Sequence, residues 1–99
     1  MISFKKNERN NFTLVEFVLE GAITPEIFPE VSRKLEELKL KMNKGIVISG
    51  RGPIWLYAFI CHKLHPSKWL AVFDPRLGAV VVQSHTPEVK EGGIVKIDG

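Results

Sequence analysis

The sequence predicts an α+β domain, a ferredoxin-like two-layer sandwich of element order ββαβαββ built on a mixed sheet. Three observations carry this. Phe12–Leu19, Ile46 with Val47 and Ile48, and Trp69–Asp74 are β-branched and aromatic runs of strand length. Helix starts stand between them, at Thr24-Pro25-Glu26 and at Pro53. Pro75-Arg-Leu-Gly78 is a short turn that sends the chain back antiparallel through residues 79–84. Right-handed strand–helix–strand crossovers then make the strands at Ile46 and Leu70 parallel within one sheet. A small Rossmann-like arrangement with helices on both faces is the second choice. Val15, Phe17 and Leu19 alternate with Glu16, a one-faced pattern that counts against it.

In chain order, residues 2–6 form an edge strand and Asn7-Glu-Arg-Asn-Asn11 a turn, followed by the strand at Phe12 and a break at Gly21. Thr24 offers a capping hydroxyl, Pro25 fits a first helical position, and Pro29 delays the regular helix by about a turn. Ile27, Val31, Leu35 and Leu38 share one helical face, and Glu30 with Lys34 and Glu37 with Lys41 pair four residues apart. The bases Arg33, Lys34, Lys39, Lys41 and Lys44 are interleaved with glutamates and read as a solvated, dipole-matched face. Residues 53–64 carry no charge before His62 and Lys63. Leu56, Ile60 and Leu64 suit the sheet, while Trp55 and Phe59 lie elsewhere on this helix and predict a homodimer packed partly through it. His65-Pro66 ends the helix, because a residue before proline avoids the helical region. Glu88-Val-Lys-Glu-Gly-Gly93 is a polar loop, and residues 94–97 offer a short last strand.

Ninety-nine residues, 44% hydrophobic and 25% charged, suit a single domain over 1–99 that buries roughly 60–70% of its unfolded surface. The formal charge of +3 permits a polyanionic ligand without demanding one. The single cysteine, Cys61, excludes an internal disulfide and suits a reducing compartment. The N-terminus lacks a signal peptide's apolar region, and the longest apolar run falls far short of the ~20 residues of a membrane span, so a cytoplasmic location is expected.

The chemistry gathers at two places. Gly50 and Gly52 let the chain turn after the Ile46 strand, and Pro53 fits the first position of the next helix. Free N–H groups beside Arg51 can hold a phosphate, although the spacing is neither the dinucleotide fingerprint nor the Walker loop. Parallel strands bring Ser49, Gly50 and Arg51 next to Asp74, Pro75 and Arg76, at the carboxyl edge where open sheets bind ligands. His65 and His85 fall at the opposite edge, a helix length of roughly 18 Å away. Imidazoles with a carboxylate can bind a first-row metal, and His62-x-x-His65 is a partial signature of that kind.

Ser49-Gly-Arg-Gly-Pro-Ile-Trp-Leu56, His62-Lys-Leu-His65 and Ala71-Val-Phe-Asp-Pro-Arg-Leu-Gly-Ala-Val-Val-Val-Gln-Ser-His85 resemble the small CRISPR-associated proteins of type III systems called the Csx-three family, described as ring nucleases. The resemblance spans residues 12–91. It implies a ferredoxin-like dimer that associates further, binds cyclic tetra-adenylate and cleaves it with Mn2+. The separation of the two residue sets across one small domain adds the expectation that dimers stack head to tail to a tetramer with a shared active site. It also implies an alternative activity, manganese-dependent trimming of adenylate-ended RNA from the 3′ end, and a non-catalytic sensor of the ring is a further alternative. By motif match, His65, Asp74, Arg76 and His85 take the family's functional positions and Ser49, Gly50 and Arg51 its ligand-binding turn. The roles expected from these are catalysis by His65, Asp74 and Arg76, ligand binding by Ser49, Gly50, Arg51 and Arg76, and metal contact by Asp74, His65 and His85.

Overall fold

The structure is a computed structural model that describes residues 1–97. Six strands, β1 (Ile2–Glu8), β2 (Phe12–Leu19), β3 (Gly45–Ser49), β4 (Trp69–Asp74), β5 (Gly78–Ser84) and β6 (Ile94–Val95), form one sheet in sequential order. Helix α1 (Phe28–Glu37) joins β2 to β3, and α2 (Ile54–Leu64) joins β3 to β4. The pairs β2–β3 and β3–β4 are parallel, and all other neighbours are antiparallel. Two crossovers that step the same way across a sheet with one hand place both helices on one face. Val31 and Leu35 of α1 and Leu56, Ile60 and Leu64 of α2 accordingly share a core with Val15, Phe17, Ile46, Ile48 and Leu70. The other face carries a second cluster of Phe12, Leu14, Val47, Trp69, Ala71, Ala79 and Val81, overlaid by Val89, Val95 and Ile97.

The α+β class and the mixed sheet are as expected, but the order is ββαβαβββ, with a sixth strand that pairs Ile94 with Val80 and Val95 with Ala79. The interleaving of a ferredoxin-like sheet is also absent. That fold leaves another strand between the two parallel strands of each strand–helix–strand unit, whereas here they are direct hydrogen-bonded neighbours. The helices do not flank the sheet on both faces either, which sets aside the Rossmann-like choice. Among the described residues no helix is long and apolar enough to cross a membrane.

The helices differ locally from their sequence reading. Pro25–Ile27 form a 3-10 turn before α1, and the Thr24 hydroxyl makes no cap; its carbonyl accepts from Ile27 N–H instead. Helix α1 stops at Glu37 and Lys39 has a left-handed φ of 54°, so Lys41 lies beyond the helix. Glu37 pairs with Arg33 at 3.0 Å rather than with Lys41, while Glu30 and Lys34 pair at 3.0 Å as expected. Pro53 is the N-cap of α2 rather than its first residue. His65, although followed by proline, keeps helical angles of −62° and −21° as the C-cap. The aromatic flank of α2 is partly occupied within the chain, since Phe28 stacks on Phe59 with ring centroids 3.8 Å apart and lies 5.7 Å from Trp55.

Candidate functional site

At the carboxyl edge of the parallel strands, β3 ends at Ser49, which pairs with Glu16 of β2. Ile48 faces Val72, so β4 runs on past it to Asp74, which faces Gly78 across the β4–β5 turn. The turns that follow β3 and β4, carrying Arg51 and Arg76, therefore leave the sheet at the same edge, and both arginines are exposed.

The turn carrying Arg51 is clamped from below. A Cβ on Gly50 would stand 2.7 Å from Phe17 ring atoms and 2.7 Å from the Phe17 carbonyl oxygen, and one on Gly52 would meet the same ring at 2.9 Å. The Phe17 ring in turn meets Tyr57 edge-on at 5.4 Å. From α2, the Tyr57 hydroxyl donates to the Gly50 carbonyl at 2.5 Å. Burial pushes the Tyr57 hydroxyl above its ordinary pKa, so it stays a donor at neutral pH. Asp74 shapes its own turn: Oδ1 accepts from the Arg76 N–H at 2.7 Å and the Leu77 N–H at 3.0 Å. Those two donors hold the carboxyl below the usual carboxylate range. Both bonds use Oδ1, and among the described residues no hydrogen bond engages the second oxygen.

The structure adds residues to this edge that the sequence reading passed over. A cavity of about 330 Å³ beside Ser49 and Gly50 is lined also by Ser3, Lys5 and Glu16, and Lys5 stands 3.9 Å from Glu16. They arrive through the β1–β2 register, which places Lys5 opposite Glu16. The signal available in the sequence was Glu16 itself, a carboxylate in an otherwise apolar strand.

The histidines lie at the other end. His85 follows β5 and its N–H donates to the Lys68 carbonyl at 2.9 Å, at the start of β4. The His85 Nε2 lies 3.1 Å from the His65 carbonyl oxygen, and the two rings are 6.4 Å apart. Gln83, which the sequence reading did not single out, donates its amide to the same carbonyl and lies 3.3 Å from His85 Nε2. With its proton on Nε2, His85 donates to His65; in the other tautomer it accepts from Gln83. His62 and His65 also line a cavity of about 520 Å³ between the helix ends.

Five residue steps of β4, at ~3.3 Å each, put roughly 17 Å between the two edges. Within one chain, then, Asp74 does not join His65 and His85, and among the described residues no three His, Cys, Asp or Glu side chains are grouped to hold a metal ion.

Fold and site together define a small α+β protein with arginines and a carboxylate at one sheet edge and paired histidines at the other. The family model described as CRISPR-associated protein (Cas_csx3) matches residues 17–96, and the chain belongs to that family. A protein of Aquifex aeolicus (strain VF5), described as uncharacterized, is 47% identical over 96 residues, covering 95% of this chain and 86% of that one.

Proposed function

We propose that the chain is a phosphodiesterase that opens cyclic tetra-adenylate, with a site completed between two stacked copies. The observation that carries this reading is the split itself: cations and a carboxylate at one edge, imidazoles at the other, a strand length apart. Arg51 and Arg76 would neutralise charge gathering on the non-bridging phosphate oxygens, and Ser49 with the Gly50 backbone would seat the phosphate. An imidazole from His65 of the next copy would move a proton to or from the attacking or leaving oxygen. His85, linked to the His65 carbonyl, would orient that end.

Among the described residues, no single chain groups three donors for Mn2+. In this reading the ion would be held by Asp74 of one copy and by His65 and His85 of the next, where it would supply further charge neutralisation. Dimers would assemble first, with the exposed Ile54 at the start of α2 available to that contact, and would then stack to a tetramer.

The test is complementation. His65→Ala and Asp74→Ala proteins, each inactive alone on labelled cyclic tetra-adenylate with manganese, should regain part of the cleavage when mixed. No recovery from subunits shown to stack would refute the shared site. An intact ring with the unaltered protein and manganese would refute the ring-opening activity, whether or not adenylate-ended RNA is shortened.

A further inference from the structure

A second cavity adjoins the histidine edge on the sheet face away from the helices. It measures about 530 Å³ and is walled by the β1–β2 turn, the start of β4 and the segment after β5. That segment is tied down: Gly92 N–H donates to the Val81 carbonyl at 2.8 Å, and Val81 N–H donates to the Gly93 carbonyl at 2.9 Å. Phe12, Trp69, Val89 and Val95 give the cavity an apolar floor. Trp69 is fixed there, because its indole lies against Gly45 so closely that a Cβ would stand 2.0 Å from ring carbon Cε2.

Three amides rim this floor: Asn10, Asn11 and Asn43, all exposed. Each presents an adjacent donor and acceptor, the pairing that reads the N6–N7 edge of adenine. The cations differ in availability. Lys44 is engaged by Glu8 Oε1 at 3.0 Å and by the Arg9 carbonyl at 2.5 Å. Lys68 and Lys96 are exposed. Glu88, the one carboxylate among the described lining residues, accepts from the Thr86 hydroxyl. Lys68 also touches the histidine edge directly, since its carbonyl accepts from His85 N–H.

An apolar floor, amide edges and a cation on the side of the histidines suit one ligand chemistry, a base with its phosphate. We infer that this cavity seats the adenine of an adenylate unit, with its phosphate directed to Lys68 and the histidine edge. The inference rests on the adenylate reading above and adds to it the base-recognising surface. The unit belongs either to the ring or to the end of a linear RNA.

The test is titration calorimetry of the full chain with linear tetra-adenylate, tetra-uridylate and cyclic tetra-adenylate, repeated with Asn11→Ala/Asn43→Ala and with Lys68→Ala. The unaltered protein should prefer linear adenylate over uridylate by about tenfold or more, and the double asparagine variant should bring that ratio close to unity. Lys68→Ala should weaken both linear ligands alike and reduce the salt dependence of binding by about one phosphate contact. If the cyclic ligand loses affinity in the asparagine variant along with linear adenylate, the ring is a source of the seated unit; if linear adenylate alone loses it, the RNA end is. An adenylate-to-uridylate ratio that is unchanged in the variant overturns the inference while leaving the adenylate reading standing. Failure of the unaltered protein to bind any adenylate ligand overturns both.

Discussion

Gly50→Ala tests how the Arg51 turn is held. The added methyl would lie 2.7 Å from two ring atoms of Phe17 and 2.7 Å from its carbonyl oxygen. The ring can rotate away, but the carbonyl is part of β2, whose Glu16 is paired with Ser49, so the turn itself must move. Overpacking of this kind costs about 1–3 kcal/mol, which for a chain of this size lowers Tm by roughly 5–15 °C. The shift also draws Gly50 away from the Tyr57 hydroxyl, 2.5 Å from its carbonyl, and carries Arg51 with it. Thermal melts followed by circular dichroism, with ligand affinity measured well below the melt, should show loss of both. Tyr57→Phe removes the hydrogen bond without crowding the turn and should cost only about 0.5–1.5 kcal/mol. A Gly50→Ala protein that melts and binds like the unaltered chain would refute the claim that Phe17 and Tyr57 fix the turn.

Gly45→Ala should be damaging at the other edge, because its Cβ would overlap the indole of Trp69, a side chain only 4% exposed. A fall in Tm with a red-shifted tryptophan emission is the expected result. Asp74 gives a pH dependence. Its carboxyl pKa is lowered in the folded chain by the Arg76 and Leu77 N–H groups, so its contribution to stability is present at neutral pH and is lost as protonation proceeds on acidification. The Tm difference between the unaltered protein and Asp74→Ala should therefore be full at pH 7 and shrink as the pH falls below about 4.

The strands Phe12–Leu19 and Trp69–Asp74 are legible in the sequence because runs of aromatic, aliphatic and β-branched residues are bounded by turn-forming Asn, Gly or Pro, and their observed bounds agree. The end of α1 was not. Glu37 has a basic residue four positions away in either direction, and periodicity alone cannot choose between Arg33 and Lys41; the left-handed Lys39 decides it. The short last strand expected over residues 94–97 is present as β6 but only two residues long, because its extent is set by pairing with Val80 and Ala79 rather than by local preference. The strand order escaped for a related reason: the helix-linked strands read as parallel, but sequence does not say whether another strand lies between them. At the candidate site, motif residues and their distribution over two edges were legible, because crossover connections dictate which strand ends coincide. Tyr57, Phe17 and Gln83 were not, since each acts through a contact made across elements.

The sequential strand order also bears on whether one copy can be sufficient. With β2, β3 and β4 parallel and adjacent, every strand-to-helix turn opens at the arginine edge and every helix-to-strand return at the histidine edge. A side chain at the end of α2 therefore cannot meet one at the end of β4 without bridging about 17 Å of strand, and the sheet between them is packed on both faces. If the proposed reaction needs both sets, ligand binding at the arginine edge and cleavage must depend differently on protein concentration. Binding to Arg51 and Arg76 should persist on dilution, whereas cleavage per mole of chain should fall once the stack dissociates. Turnover measured across a dilution series, alongside sedimentation at the same concentrations, checks this. A constant specific activity down to concentrations at which the chain sediments as a monomer would refute the division of labour between edges.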